Sequence, residues 1–214
     1  MKILRKLTVA LAGLAVAVAP ITGAAARPPN LPPPPPPPAP PCNISNAATG
    51  PATGIMSDWF YGPYEPFSDT VAADFTPTVA CLPASIDVPG QYFGPDKVDY
   101  VQVRFYWDTG GLPSSIINAQ GWWRVDDGAG NFHIPLGSFA FHHFEAGVKY
   151  WVSVRAVMPQ YSQTIWTWRQ TMTQTGGPAV YAEPANGMGR NCLTWKPAPA
   201  CGWGGGTDVA FTLS

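Results

Sequence analysis

The chain has 214 residues and a formal net charge of −1 at pH 7, with 12% charged residues and 13% aromatics. Basic residues such as Arg104, Arg124, Lys149, Arg155, Arg169, Arg190 and Lys196 are scattered and form no run. That distribution excludes a surface built to hold nucleic-acid phosphates or an anionic bilayer.

In chain order, Lys2, Arg5 and Lys6 form a short positive region, residues 7–19 are apolar, and Ala24, Ala25 and Ala26 supply small residues suited to cleavage. This pattern predicts a secretory signal peptide over residues 1–26. Its apolar run is too short to span a bilayer comfortably, so no membrane attachment is expected after cleavage. The expected destination is extracellular or periplasmic. Cleavage removes those three cations and no acid, and shifts the net charge from −1 to −4.

Residues 27–41 read as a proline-rich disordered linker. Eleven of the 14 positions from 28 to 41 are proline; such a segment has few backbone donors and a fixed φ, and extends as polyproline II instead of packing. At roughly 3.1 Å per residue it reaches on the order of 40 Å.

Residues 42–214 are enough for one domain with a sizeable core. Gly and Pro are distributed throughout, and no stretch sustains a 3.6-residue apolar period with caps, so the expected class is all-β. Strands are expected over 71–76, 97–107, 121–126, 131–136, 138–144, 149–158, 164–170, 179–182 and 208–213. Residues 108–113 read as a turn, and Asp127-Gly128-Ala129-Gly130 as a hairpin turn, since Asp-Gly tolerates positive φ. The organising strand is 149–158, where Tyr150, Val152, Val154, Ala156 and Met158 alternate with Trp151, Ser153, Arg155 and Val157. Burying five apolar side chains on one face is worth on the order of 10 kcal/mol, so a second layer must cover it. The expected architecture is a two-layer antiparallel β-sandwich, jelly-roll-like.

Four cysteines in an exported chain imply disulfides, with three pairings open. Cys192 and Cys201 bracket a proline-rich loop with little means of holding its own shape; pairing them leaves Cys42 with Cys81. A metal site is the alternative, but the spacings are not those of zinc ligands. No cofactor is expected.

Several separated motifs occur in a familiar order: Phe105-Tyr106-Trp107-Asp108 with Gly111-Leu112-Pro113, then Gly147-x-Lys149-Tyr150-Trp151-Val152-Ser153-Val154, then Trp166-x-Trp168, then Asn186-Gly187-Met188-Gly189-x-x-Cys192-x-x-Trp195. Over residues 72–214 the chain resembles an accessory β-sandwich domain found in exported bacterial multidomain and surface proteins. The resemblance implies a fold and a compartment; that domain type brings no established activity or catalytic residues. The chain departs from the pattern in the Glu183-Pro184-Ala185 context of Asn186 and in a long insert over 79–99.

Chemistry-bearing residues are few. His133, His142 and His143 are the three histidines, and neither His-Glu-x-x-His nor Gly-x-Ser-x-Gly occurs. A hydrolase using His142 or His143 with a nearby Asp is a minor reading. The Asp126–Asn131 turn has oxygen ligands near glycines that suit calcium, but lacks the acidic residue that closes an EF-hand loop.

Aromatics are the stronger signal. Trp122, Trp123, Trp166, Trp168, Trp195 and Trp203 sit near expected strand ends or in glycine-rich loops, where flat indoles stack on sugar rings or enter a partner's pocket. Trp203, between glycines, has nothing local to pack against, and Trp195 is held inside the Cys192 to Cys201 loop. These two, with Trp166 and Trp168, form the expected ligand-binding face. The leading reading is a non-catalytic exported module that binds an extracellular glycan or surface protein; the alternative is a structural or adhesive surface protein that self-associates.

Overall fold

The computed structural model describes residues 37–50, 53–123, 125–137 and 143–214. The expected signal peptide and most of the linker lie outside these residues. The described strands are, in chain order, β1 (Ile44–Asn46), β2 (Gly54–Met56), β3 (Asp58–Trp59), β4 (Thr70–Phe75), β5 (Ser85–Val88), β6 (Gly90–Phe93), β7 (Tyr100–Thr109) and β8 (Leu112–Trp122). They continue as β9 (Phe132–Pro135), β10 (Tyr150–Val157), β11 (Ile165–Thr171), β12 (Val180–Ala182), β13 (Lys196–Pro197), β14 (Asp208–Val209) and β15 (Phe211–Leu213). Among the described residues no helix is long and apolar enough to cross a membrane.

The chain is all-β and built around β10, whose eight residues are all buried. One edge of β10 pairs along its whole length with β7, from Tyr150 opposite Trp107 to Val157 opposite Tyr100. The other edge is shared: β4 pairs antiparallel with residues 150–153, and β3 pairs parallel with Ala156 and Val157. The resulting sheet runs β13-β12-β4-β10-β7-β8, with β3 beside β10.

Two smaller sheets, β1-β15-β5-β9 and β14-β11-β2 with β6 on β11, supply the covering layer. The chain crosses between them at Pro89 and at Ala210. Both crossings are fixed by Arg169 of β11, whose amide donates to the Pro89 carbonyl and whose carbonyl accepts from the Ala210 amide, each at 2.9 Å. The core lies between the layers: Tyr150, Val152, Val154, Ala156 and Met158 join one cluster with Ile86, Phe132, Ile134, Trp166, Trp168 and Phe211. The alternation read in residues 149–158 therefore sorts side chains as expected, and the antiparallel sheets agree with a sandwich.

The opposite face of the large sheet is not left to solvent. Ala72, Tyr106, Trp151 and Val180 form a second, smaller cluster there, with Leu112 and Trp195 against it. Alternation in β10, β7, β4 and β12 delivers these residues: every side chain that misses the main core arrives on this face.

Both disulfides pair as the sequence suggests, Cys42 with Cys81 and Cys192 with Cys201. Several strand expectations need correction. The turn read at 108–113 is present, with Gly110 and Gly111 at φ 64° and 82° in a tight reversal, but it leads from β7 into a strand, β8, that was not expected. Eleven-residue β8 escapes notice because neither of its faces is well covered, its residues being half-buried or exposed apart from Pro113, which an edge strand tolerates. Of the expected strand 121–126, two residues are the end of β8. The 79–99 insert holds β5 and β6. The expected strand over 138–144 lies largely outside the described residues; Phe144 exchanges both backbone hydrogen bonds with Cys81 at 3.0 Å.

Candidate functional site

The tryptophans proposed for one binding face do not meet. Trp166 and Trp168 are fully buried, because their side of β11 is the core side. Each indole N–H is used there: Trp166 Nε1 donates to the Gly130 carbonyl at 2.8 Å, and Trp168 Nε1 to the Ala210 carbonyl at 2.6 Å. Trp166 also stacks on Phe132 with centroids 4.7 Å apart. Neither ring reaches a ligand, and both leave the candidate site.

Trp203 is half-buried, not a bare rim indole. Its ring meets Tyr181 edge to face at 5.6 Å, and the Arg190 guanidinium lies 3.8 Å over it. Long-range neighbours replace the local packing that its glycines cannot give. Tyr181 belongs to the main core side of β12, so Trp203 sits across the large sheet from Trp195.

Trp195 alone lies where a ligand could use it. It lines a concavity of about 500 Å³ on the outer face of the large sheet, with Trp59, Glu65, Arg104, Tyr106, Arg155, Thr70, Ala182 and Leu193 among its walls. The floor follows from strand alternation. Tyr106 and Arg104 project from β7 and Arg155 from β10, while Trp59 ends β3. Arg104 pairs across from Ser153 and Arg155 from Gln102, so the two arginines are diagonal neighbours on one face.

One wall is the loop 183–195. The buried Glu183 carboxylate accepts from the amides of Met188 and Arg190. The Glu183 amide donates to the Cys192 carbonyl at 2.7 Å, and the Asn186 side chain accepts from the Asn191 amide at 2.8 Å. Asn186 and Asn191 take positive φ, 55° and 58°, which their short polar side chains tolerate. The opposite wall is the 3-10 turn Gly62–Phe67 carrying Glu65. The walls are tied where the Gly187 amide donates to the Pro66 carbonyl at 3.0 Å; a Cβ on Gly187 would run into that carbonyl.

The electrostatics of the floor are unusual. Arg155 is only 6% exposed, and neither its guanidinium nor that of Arg104 makes an ion pair among the described residues. Arg155 donates through Nη2 to Gln102 Oε1 and lies 4.6 Å over the Trp59 ring. The Nε of Arg155 and that of Arg104 are buried without a protein acceptor. Burial, and then the charge of Arg104, hold the Arg155 guanidinium down at about 10. The buried carboxylate of Asp69, whose charge acts on Arg155, is committed elsewhere, accepting from the Asp58 amide at 2.9 Å and the Tyr181 hydroxyl at 3.0 Å.

Sequence reading missed Arg104, Arg155, Trp59, Tyr106 and Glu65. The signal was present: Gln102, Arg104 and Tyr106 alternate off the core face of one strand, and Ser153 and Arg155 off the core face of the next. Only the register brings them together.

Elsewhere, the histidine-based chemistry finds little. His142 lies outside the described residues and His143 is exposed. His133 Nδ1 lies 2.6 Å from Asp87 Oδ1 on the exposed face of β9 and β5. The hydroxyls in the same cross-sheet row, Thr212 and Ser45, lie on the far side of Asp87, because β15 and β1 follow β5 away from β9. A hydroxyl nucleophile needs the imidazole between itself and the carboxylate, and this row has the carboxylate in the middle. The Asp126–Asn131 turn uses its own carboxylates: Asp127 Oδ1 accepts from the amides of Ala129, Gly130 and Asn131 at 2.7, 3.1 and 3.0 Å. Those amides hold the Asp127 carboxyl below its ordinary range, together with the Asn131 side chain, the largest cause.

Comparison with known proteins finds no matching family, no matching curated protein and no matching solved structure.

Proposed function

We propose that the chain is an exported, non-catalytic binding module, and that its ligand, an extracellular glycan, lies in the cleft over Trp195, Tyr106 and Trp59. The observation that carries this is the cleft itself: about 500 Å³ of concave surface floored by aromatic rings on rigid strands and walled by two cross-tied loops. Aromatic faces stack on the apolar faces of sugar rings, and a site whose walls are already fixed spends little ordering entropy on binding. The two disulfides suit an oxidising compartment, and the leader-like residues 1–26 give a route to it. A jelly-roll arrangement of the strands and the resemblance to accessory β-sandwich domains of exported proteins accord with a module that positions a surface and leaves chemistry to others.

The test is retention on a panel of immobilised polysaccharides, comparing wild type with Trp195→Ala and Trp203→Ala. Retention that drops with Trp195→Ala and persists with Trp203→Ala supports the reading. Retention that is absent across the panel, or indifferent to Trp195, sinks it.

A second reading, a surface module that self-associates, draws on β8. It forms one end of the large sheet and carries Ile116 at 50% exposed, with Trp123 at 66% just beyond it. An edge with no partner strand among the described residues can template strand addition. Sedimentation over a concentration series separates the two readings, since only the second expects oligomers.

A further inference from the structure

The cleft floor contains something that a neutral sugar would not use. Arg155 and Arg104 lie on adjacent strands as diagonal neighbours, and among the described residues neither makes an ion pair with a carboxylate; the Nε of each lacks a protein acceptor, as do those of Arg169 and Arg190 outside the cleft. Like charges set side by side repel, and a buried charged donor left unpaired is destabilising. Arg155 is nonetheless fixed in place, its plane supported by Trp59 and one nitrogen held by Gln102. Such a pair is pre-oriented for an incoming anion. A guanidinium offers a planar fork of donors that matches a carboxylate in two parallel hydrogen bonds.

We infer that the glycan bound here is acidic, bearing uronate carboxylates, and that Arg104 and Arg155 read the carboxylate while Trp195, propped by Tyr106, contacts the ring that carries it. This rests on the carbohydrate reading above. Among the described residues, Glu65 is the one acid in the cleft wall, exposed and without an ion pair, and it opposes the incoming anion from the rim. Nucleic acid is a poor occupant, because the rest of the surface is net negative and has no basic track to follow a phosphate backbone.

Calorimetric titration of the intact protein with galacturonate, glucuronate-containing and guluronate oligosaccharides, each beside its carboxyl-reduced counterpart of equal length, tests this. At least one carboxylated oligosaccharide is expected to bind about tenfold or more tighter than its reduced form, and to weaken in 0.5 M NaCl. Arg104→Gln, whose side chain is the less buried of the two, is expected to lose a similar factor while melting near wild type; Glu65→Gln is expected to tighten binding several-fold. Reduced and carboxylated forms binding equally would overturn the acidic inference while leaving the carbohydrate reading standing. The same holds if neutral glycans bind and Arg104→Gln changes nothing. No uronate binding at all, or polyglutamate binding in its place, overturns the inference, the latter in favour of an acidic protein partner.

Discussion

Trp195 meets the ring of Tyr106 edge to face, with centroids 5.9 Å apart and planes at 79°. The contact joins a loop to a strand: Trp195 follows Cys192 in the disulfide-closed segment, while Tyr106 is 4% exposed in β7. Loop position and sheet face are thereby registered to each other, so that the indole lines the same cleft as the two arginines.

That registration depends on the Cys192–Cys201 bridge, and the two bridges should differ in what their loss does. They close separations of 9 and 39 residues. In the chain-entropy model these are worth roughly 2.5 and 4 kcal/mol respectively. The double variant Cys42→Ser/Cys81→Ser is expected to lower unfolding free energy more than Cys192→Ser/Cys201→Ser, but only the latter should weaken ligand binding. Equilibrium urea unfolding and the polysaccharide assay, run on both, check this; equal binding losses would mean the small loop does not place Trp195.

The indoles divide into packing and contact residues, and unfolding experiments should sort them. Trp168 fills a fully buried site and donates its N–H inside it, so Trp168→Ala is expected to cost about 3–5 kcal/mol. Trp195→Ala, at a half-buried position, should cost well under half of that. If urea midpoints for the two variants fall together, the assignment of Trp195 to a ligand-facing role loses its basis.

These cases show what was legible in the chain. The alternation of 149–158 identified β10 and its core face without help, because a strand buried on both sides must be apolar on one and can be mixed on the other. The cysteine pairing was readable from the proline-rich content of 193–200, which has little means of holding its own shape. The fate of Trp166 and Trp168 was not. Their shared face was clear, but the room for Trp166 is made by Gly90, where any Cβ would collide with that indole, and by the Gly130 carbonyl, which receives its N–H. Both are far away in sequence. Arg104 and Arg155 looked like scattered surface cations for the same reason: nothing local says that β7 and β10 pair in the register that places them side by side. Trp203 looked exposed because its glycine neighbours are mute about Tyr181 and Arg190.

Gly187 offers a direct handle on the cleft. Its Cα hydrogen faces the Pro66 carbonyl so closely that no side chain fits, and its amide bonds that carbonyl at 3.0 Å. Gly187→Ala should part the 183–195 loop from the Gly62–Phe67 turn, losing one partly exposed hydrogen bond, about 1 kcal/mol, with a larger effect on binding than on stability. Hydrogen exchange at Gly187 and Met188 should accelerate in the variant while exchange in β10 stays at the wild-type rate. Unchanged exchange and affinity would show that the two walls are held to each other by something else.

The domain also buries acids, and this sets its response to pH. Burial pushes the Asp58 carboxyl well above its ordinary range, with the charge of Asp69 adding to it. Burial likewise raises Asp69 and Asp208 to about 7, although the Asp58 amide and Tyr181 hydroxyl partly offset this at Asp69, and the Val209 amide and Asn46 side chain at Asp208. A carboxyl whose folded value exceeds its unfolded one binds its proton more tightly in the native state. The stability it contributes is complete below the unfolded value of about 4 and is lost as pH rises through about 7. Asp127, shifted the other way, acts only below that window, and Lys149, raised by its bond to Asp74, acts above it. The melting temperature should therefore be higher at pH 5 than at pH 8, by several degrees, on the order of 5 °C. Asp208→Asn, which keeps an acceptor for Asn46 while removing the charge, should flatten that slope. Calorimetric scans between pH 4 and 8 read this directly, and a melting temperature that climbs across the range would mean that these carboxyls are solvated.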